Sequence, residues 1–328
     1  MPESKVAVTG AAGFIGSHVC QALLEAGYRV VGVDNFDPYY DRRIKQRSLA
    51  TLDEARGFTF VECDVRRTER LRSLLTDVEI VVHLAGRPGV RPSIDDPRPY
   101  TTMNVVGTAS VLEAARVAGV ARFVFCSSSS VYGNSPETIH REDVSADRPI
   151  SPYAASKRSG ELLCEKYSRQ YGLTVATVRL FSVYGARQRP DLAIHRFAQA
   201  ILCSERVRQF GGGGSERDYT YIDDAVSGIV AAMDWTGVCS GTHEIFNLGE
   251  SRSVQLSYLI QLLGESIGIE PRVEVLPDQP GDVHRTCADI SKARDVLGYR
   301  PRVSIEDGVP LFVEWYRKSN GHAEFAAS

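Results

Sequence analysis

The first half of the chain alternates short apolar runs with amphipathic stretches, and this alternation constrains the fold most strongly. The runs are β-branched or aromatic and almost continuously apolar, as expected of strands buried on both faces. They are Val6–Val8, Val30–Val33, Phe58–Val61, Ile80–Val82, Phe123–Phe125 and, later in the chain, Val175–Val178. Ser17–Ala26 and Val105–Ala118 are helix candidates between them. Repeated strand–helix units predict an α/β fold with a doubly wound parallel sheet and right-handed crossovers.

This rhythm breaks after residue 180, where a glycine run, Gly211–Gly214, and several prolines appear. We therefore expect residues 1–180 to form a Rossmann-like domain. Residues 220–248 would return to it, through Ala225–Met233 and Ile245–Leu248. A smaller α/β domain would take up residues 181–320, mainly 181–219 and 249–320.

Composition excludes several classes of function. The 328 residues carry a formal net charge of −3, so no overall positive field favours nucleic acid or an acidic membrane. No run approaches the ~18 apolar residues of a membrane span. The 7 cysteines form no CxxC pair, and this usage, without a targeting signal, predicts a cytoplasmic protein. We expect no metal site.

A glycine-rich turn follows the first strand. Gly10, Gly13 and Gly16 give the spacing GxxGxxG, with Phe14 and Ile15 opening the next helix. Glycines let backbone amides approach a pyrophosphate at a helix N-terminus. Asp34, at the end of the second strand, is placed to accept hydrogen bonds from ribose hydroxyls and to repel the extra phosphate of NADP. The pattern predicts an NAD site; a structural turn with a solvated Asp34 is the alternative.

Other candidate cofactor contacts follow the third and fourth strands. Asp64 and Val65 come after the third strand, and Leu84, Ala85 and Gly86 come after the fourth. The carboxyl ends of parallel strands line the crevice in which a dinucleotide binds. We expect these residues to contribute to the NAD site.

Tyr153 and Lys157 are candidate catalytic residues. Ser151 can cap a helix that begins at Pro152 and runs to Tyr171, which places the two side chains four residues apart on one face. A phenol with an ordinary pKa of ~10 is a poor base at neutral pH, but a cation at ~4 Å stabilises a phenolate by about 4 kcal/mol at an effective dielectric near 20. An exposed tyrosine and a solvated lysine remain the alternative.

A serine run after the fifth strand, Ser127–Ser130, places further hydroxyls at the same sheet edge. Together with Asp34-Asn35, His83-Leu84-Ala85, Asn104 and Tyr153–Lys157, these pieces resemble the extended short-chain dehydrogenase/reductase family, the NAD-dependent epimerases and dehydratases. The resemblance implies a triad of Ser128, Tyr153 and Lys157, and NAD contacts from Asn35 and Asn104. Tyr153 would remove the proton of a sugar 4-hydroxyl while hydride passes to NAD, and Ser128 would hydrogen-bond that oxygen.

Several stretches are similar to UDP-glucuronate 4-epimerases in particular: Asp34–Asp41, Gly89–Ser93, Arg189–Asp191 and Arg217–Asp224. The resemblance implies inversion of C4 of UDP-glucuronate to give UDP-galacturonate. Dehydratases and decarboxylases of the family carry an acid beside the catalytic hydroxyl, where Ser129 and Ser130 stand here. Substrate contacts are expected from Arg91, Ser128, Ser129, Ser130, Tyr153, Ser182, Arg189, Arg217 and Arg285.

The resemblance is imperfect in one loop. Ser182 stands where these epimerases carry threonine, Ala186–Gln188 replaces their Pro-Trp-Gly, and Arg87-Pro88 and His284 are atypical. These departures affect the expected geometry of the loop, not the triad. The serines must also meet a chemical demand, since oxidising C4 of a glucuronate gives a β-keto acid that tends to lose carbon dioxide.

Three other functions remain open. A UDP-glucose/galactose 4-epimerase would use the same triad on a neutral C6. A UDP-glucuronate decarboxylase would lose carbon dioxide, and a non-catalytic NAD-binding sensor could share the fold. The expected partner is a UDP-sugar, bound by the smaller domain. A homodimer through Val105–Ala118 and Pro152–Tyr171 is implied by the family resemblance.

Overall fold

The apolar runs of the first half lie side by side in one parallel sheet. The computed structural model describes residues 4–52, 55–135, 137–277 and 283–320. The strands are β1 (Lys5–Thr9), β2 (Arg29–Asp34), β3 (Phe58–Glu62), β4 (Ile80–His83), β5 (Arg122–Ser128), β6 (Thr174–Leu180), β7 (Ser182–Tyr184), β8 (Arg206–Phe210), β9 (Glu216–Tyr221), β10 (His243–Leu248), β11 (Ser253–Gln255) and β12 (Arg272–Leu276). Seven of them form the sheet, in the order β10-β6-β5-β4-β1-β2-β3. This order confirms the predicted doubly wound fold.

The helices connect and cover these strands. They are α1 (Phe14–Glu25), α2 (Arg42–Ala50), α3 (Thr68–Leu74), α4 (Val90–Asp95), α5 (Arg98–Tyr100), α6 (Gly107–Ala118), α7 (Pro152–Tyr171), α8 (Ala193–Leu202), α9 (Ile222–Val238), α10 (Leu256–Ile267), α11 (Ser291–Leu297) and α12 (Ile305–Asn320). A π-helical segment, Thr101–Val106, joins α5 to α6. The α7 bounds match the prediction, and Ser151 caps it by accepting a hydrogen bond from the Ala154 amide.

The sheet separates two hydrophobic clusters, because successive strand residues face opposite sides. In β1, Val6 and Val8 pack on one side with α1 and α9, whereas Ala7 packs on the other with α3, α6 and α7. Both faces of the central strands are therefore buried. This explains why their sequences are almost continuously apolar.

The second half of the chain builds two small sheets beside the large one. β9 pairs parallel with β7 and antiparallel with β11, and β8 pairs parallel with β12. Ile245–Leu248 lies in β10, which joins the large sheet beside β6. Ala225–Met233 lies in α9, which packs against the sheet rather than extending it. The small sheets face the carboxyl edge of the large one across a cleft.

Candidate active site

The glycine turn forms one wall of this cleft. Gly10 has φ +75°, and a Cβ there would lie 2.8 Å from the Ala85 amide nitrogen. A Cβ on Gly16 would collide with the Gly10 carbonyl oxygen. The helix that follows the turn, α1, begins at Phe14, three residues before the predicted start. The cleft is lined by Gly10, Gly13, Phe14, Ile15 and Gly16. The N-terminus of α1, which carries the positive end of the helix dipole, therefore faces the cleft and can bind an anion there.

Asp34 and Asn35 also line the cleft. The Asp34 carboxylate is buried; it accepts hydrogen bonds from the Phe36 amide at 2.7 Å and the Ala12 amide at 3.3 Å. Its third partner, the Lys45 ammonium at 3.5 Å, was missed by the sequence analysis. Lys45 lies in the basic segment of α2, where the sequence offers no sign that one cation turns inward.

The loop after β4 forms the floor of the cleft through Leu84, Ala85 and Gly86. Beneath it, burial lowers the pKa of His83 to about 3, and the neutral ring bridges the hydroxyls of Thr9 and Thr108. Asn104 is buried: its side chain accepts a hydrogen bond from the Arg87 amide at 2.6 Å and donates to the Arg87 carbonyl. It does not line the cleft among the described residues. It orders the loop that does.

Two other candidate residues differ from expectation in the same way. Cys63 and Val65 line the cleft, but Asp64 between them does not; Asp64 pairs with Arg66 at 2.7 Å. Arg285 does not line the cleft either, and pairs with Glu216 at 3.2 Å. Both charged groups are thus paired within the protein, and the Asp64 carboxylate also accepts a hydrogen bond at 3.0 Å from the side-chain amide of Asn35, which lines the cleft.

Ser128, Tyr153 and Lys157 line the cleft together. Ser128 ends β5, and its hydroxyl donates to the Ser130 hydroxyl at 3.1 Å. The Lys157 ammonium is buried and donates to the Cys126 carbonyl at 2.9 Å, which holds the cation at the end of the same strand. The Tyr153 ring packs edge-on against Tyr100. A hydroxyl, a phenol and an ammonium thus share one wall.

A buried ion pair underlies that wall, and the sequence analysis missed it. Glu161 follows Lys157 by one helical turn and accepts two hydrogen bonds from the Arg179 guanidinium, each 2.8 Å long. The Ser127 hydroxyl donates to the same carboxylate at 2.6 Å. This group fastens α7 to β5 and β6. The i, i+4 spacing from Lys157 was the only sequence signal for it.

Further hydroxyls and cations line the cleft wall beyond the triad. The lining includes six residues predicted to contact substrate: Ser129, Ser130, Ser182, Arg91, Arg189 and Arg217. Arg189 donates two hydrogen bonds to Asp191, at 2.9 and 3.0 Å, and the Tyr39 hydroxyl donates to the same carboxylate at 3.4 Å. Arg91 lies over the Phe210 ring at 4.8 Å. Such a wall suits a diphosphate or a carboxylate.

The cleft encloses about 1670 Å³, enough for a dinucleotide and a second nucleotide ligand together. Within the described ranges, acidic, histidine and cysteine side chains form no group of three that could hold a metal ion. In the same part of the chain, no helix combines the length and apolarity needed to cross a membrane.

Fold and cleft together define a dinucleotide-binding α/β enzyme of the short-chain dehydrogenase type, and comparison with known proteins places it further. A model of the NAD dependent epimerase/dehydratase family matches residues 6–249. A UDP-glucuronate 4-epimerase of Thermodesulfobacterium geofontis is 39% identical, over 95% of this chain and 96% of its own length. The chain belongs to the NAD dependent epimerase/dehydratase family.

Solved structures agree. UDP-glucuronic acid 4-epimerase of Bacillus cereus, crystallised with UDP-glucuronic acid and NAD, is 38% identical with a TM-score of 0.91, covering 96% of this chain and 99% of that one. UDP-glucose 4-epimerase of Thermotoga maritima, with UDP-glucose, is 33% identical with a TM-score of 0.87, covering 96% and 99%.

Proposed function

We propose that this protein is an NAD-dependent UDP-glucuronate 4-epimerase, which interconverts UDP-glucuronate and UDP-galacturonate. The observation that carries the proposal is one cleft lined by both Ser128, Tyr153 and Lys157 and the hydroxyls of Ser130 and Ser182. The named activity of the Bacillus and Thermodesulfobacterium relatives supports the choice of sugar.

The residues along the carboxyl edge fit NAD. The close backbone contacts at Gly10 and Gly16 exclude side chains there, and the amides at the N-terminus of α1 would bind the pyrophosphate. Asp34 would hold the adenosine ribose, and Leu84 to Gly86 would lie beneath the dinucleotide. NAD, when bound there, supplies the hydride acceptor and donor that inversion at C4 requires.

The triad residues handle the proton. Tyr153 takes the proton of the sugar 4-hydroxyl and returns it after the 4-keto sugar has turned over. Lys157 uses one of its three N–H groups on the Cys126 carbonyl, which holds its charge on the wall that also carries Tyr153. The Ser128 hydroxyl hydrogen-bonds the oxygen at C4.

The serines and arginines hold the rest of the substrate. Ser129, Ser130 and Ser182 would hydrogen-bond the C6 carboxylate, keeping the breaking carbon–carbon bond near the plane of the ketone and so suppressing decarboxylation. Arg91, Arg189 and Arg217 would bind the anionic groups of the UDP-sugar. Residues 129 and 130 carry no carboxyl that could act at C5 to eliminate water.

The direct test offers the purified protein UDP-glucuronate and UDP-glucose in parallel and separates the sugar nucleotides by anion-exchange chromatography. We expect UDP-galacturonate from the first, with little UDP-pentose and no net NADH, and far slower turnover of the second. UDP-glucose as the better substrate by kcat/KM would instead assign the chain to the UDP-glucose 4-epimerases, which the Thermotoga relative represents.

We also propose a homodimer built from α6 and α7. Val106 precedes α6, Val117 lies on α6, and Leu162 and Tyr171 lie on α7; each is between 40% and 49% exposed. Pairing two copies through these helices would bury Val106, Val117 and Leu162. Light scattering behind a sizing column should give a dimer for the wild type, and Leu162→Glu should shift it to a monomer. A wild-type monomer at micromolar concentration would refute the assignment.

A further inference from the structure

Arg187 joins the segment that carries Arg189 to the helix that begins at the glycine turn. Its Nε donates to His18 Nε2 at 3.2 Å, and one terminal nitrogen donates to Gln21 Oε1 at 2.9 Å. Both acceptors lie on α1. The other terminal nitrogen donates to the Thr51 hydroxyl, at the end of α2, at 2.8 Å. One guanidinium therefore spans two helices of the cofactor half and the loop after β7.

The histidine in this contact is set up to receive it. Burial, aided by the Arg187 charge, lowers the pKa of His18 to about 3, so the ring is neutral at physiological pH. Its Nδ1 lies 2.9 Å from the Phe14 carbonyl oxygen, which can only accept. Nδ1 therefore carries the proton, and Nε2 is free to accept from Arg187. Phe14 is the first residue of α1, where the pyrophosphate would bind.

The backbone of Arg187 adopts an unusual conformation. Its φ is +59°, in the left-handed region that non-glycine residues seldom adopt. Three hydrogen bonds to fixed partners hold it there. Two residues further on, Arg189 lines the cleft and pairs with Asp191, which accepts from Tyr39 in the loop after Asp34. Residues 185–191 are thus tied to the cofactor half at both ends.

We infer that Arg187 is a positioning residue that couples NAD binding to UDP-sugar binding. Arg187 links α1 to the segment that carries Arg189, and its partner His18 contacts the Phe14 carbonyl in the first turn of α1. A ligand that orders either element should therefore order the other. By thermodynamic linkage, a bound UDP-sugar should tighten NAD by the same factor by which NAD tightens the UDP-sugar, and we expect the tighter binding of NAD to appear as its slower release. The inference rests on the proposed placement of the two ligands in the cleft.

The test measures NAD release from holoenzyme into an alcohol dehydrogenase and ethanol trap, with and without saturating UDP. UDP is the probe because it carries the diphosphate but no oxidisable sugar. For the wild type we expect UDP to slow release by about tenfold, within the usual range of coupling between sites. In Arg187→Met the ratio of NAD release rates without and with UDP should fall below about threefold. Arg187→Lys keeps the charge but loses the planar guanidinium, and its ratio should lie between those of Arg187→Met and the wild type.

Matched variants separate coupling from stability. Gln21→Met removes one acceptor on α1 and should lower the UDP effect in the same direction, whereas Arg169→Met, at an exposed pair with Glu165, should leave it unchanged. Melting temperatures of all four variants should stay within about 2 °C of the wild type.

Equal weakening of NAD retention with and without UDP in Arg187→Met would reduce Arg187 to a local structural role and overturn the inference. So would a wild type in which UDP has no effect on NAD release while UDP-glucuronate is still turned over. Failure of the wild type to turn over UDP-glucuronate would refute the proposed function instead, since the coupling is read with UDP alone.

Discussion

Glu161 and Arg179 form a two-pronged ion pair beneath the triad, with both hydrogen bonds 2.8 Å long and both side chains almost wholly buried. Glu161 lies on α7 one turn after Lys157, and Arg179 lies on β6. The Arg179 guanidinium also stacks over the Tyr132 ring at 4.8 Å, and the Tyr132 hydroxyl donates to Asn247 on β10. The rotation of α7, and with it the position of Tyr153, depends on this pair.

Arg179→Met should lower the free energy of unfolding by about 3 kcal/mol, the lower end of the cost of breaking a buried pair, because the buried Glu161 carboxylate then keeps only Arg158, at 3.1 Å, as a cation. The double variant Glu161→Leu/Arg179→Met should recover part of that loss, since no charge is then stranded. Urea denaturation of both, with Arg141→Met at an exposed pair as control, measures the difference. A single variant as stable as the wild type would show that the pair is not needed to hold α7.

Tyr153→Phe should keep the fold and the bound NAD yet lose most epimerase activity, because it removes the proton-accepting oxygen and little volume. Activity is measured by conversion of UDP-glucuronate, and bound NAD by its absorbance after denaturation. Tyr258→Phe, whose hydroxyl donates to Glu306 on the surface, is the matched control. Activity within a few-fold of the wild type would mean that another group takes the proton.

The sequence predicted the elements that local patterns encode. The buried strands are apolar throughout because both sheet faces are covered, and α7 carries its own start signal in Ser151 and Pro152. The glycine turn was predicted, but not the early start of α1 at Phe14. Helix formers and glycines share that stretch, and the close approach of the turn to Leu84 and Ala85 is a contact between distant segments that the sequence does not encode.

Contacts between distant segments were not predictable. Lys45 turns inward to Asp34, and Asn104 holds the Arg87 backbone across 17 residues; neither leaves a pattern in the sequence. Arg187 was noticed only as a departure from the family's usual loop. Arg285 stands beside His284, which lines the cleft, yet its side chain pairs with Glu216 at 3.2 Å, a contact that the sequence does not encode.

Glu250→Gln should stabilise the protein at alkaline pH. Burial, with the charges of Asp224 and Asp218, raises the pKa of Glu250 from its ordinary 4.5 to about 8. The folded state therefore binds this proton more tightly than the unfolded state, and stability falls as pH rises from about 4.5 to about 8. The variant should melt above the wild type at about pH 9 and differ less at about pH 5.

The matched control for this pH dependence is Glu306→Gln. A hydrogen bond from Arg252 lowers the pKa of Glu306 to about 2, so its carboxylate contributes stability above the ordinary value, and the substitution should lower the melting temperature at about pH 9. If the melting temperatures of the Glu250→Gln variant and the wild type differed by the same amount at every pH between about 5 and about 9, the raised pKa of Glu250 would be contradicted.

Asp34→Asn should weaken the preference for NAD over NADP by about tenfold or more, a difference of about 1.4 kcal/mol. The substitution removes the negative charge of Asp34, which repels the 2′-phosphate of NADP. The Lys45 ammonium, 3.5 Å from the Asp34 carboxylate in the wild type, remains and attracts that phosphate. Titration of cofactor-free protein with each dinucleotide measures the ratio. Asp64→Asn, outside the cleft lining, should not change it. An unchanged ratio in Asp34→Asn would place the ribose elsewhere.

The hydroxyls around Ser128 should decide whether the 4-keto sugar keeps its carboxylate. Ser130 and Ser182 line the cleft. A site built to hydrogen-bond a carboxylate leaves these donors unpaired when the sugar carries a hydroxymethyl group, at a cost of about 1–3 kcal/mol for each buried donor. This cost is the reason to expect UDP-glucose to be the poorer substrate.

Ser182→Ala and Ser130→Ala should each slow epimerisation of UDP-glucuronate and let UDP-pentose appear, because the carboxylate then rotates out of the ketone plane and carbon dioxide can leave. Chromatography of the sugar nucleotides after a single long incubation measures both products. Ser73→Ala, whose hydroxyl donates to the Glu69 carbonyl on the surface of α3, should behave as the wild type. The double variant should release more UDP-pentose than either single variant, since two of the hydroxyls that hold the carboxylate are then missing. If the variants lose activity without forming any UDP-pentose, the serines act only at C4 and not on the carboxylate. If UDP-pentose is the main product of the wild type, the protein is a decarboxylase.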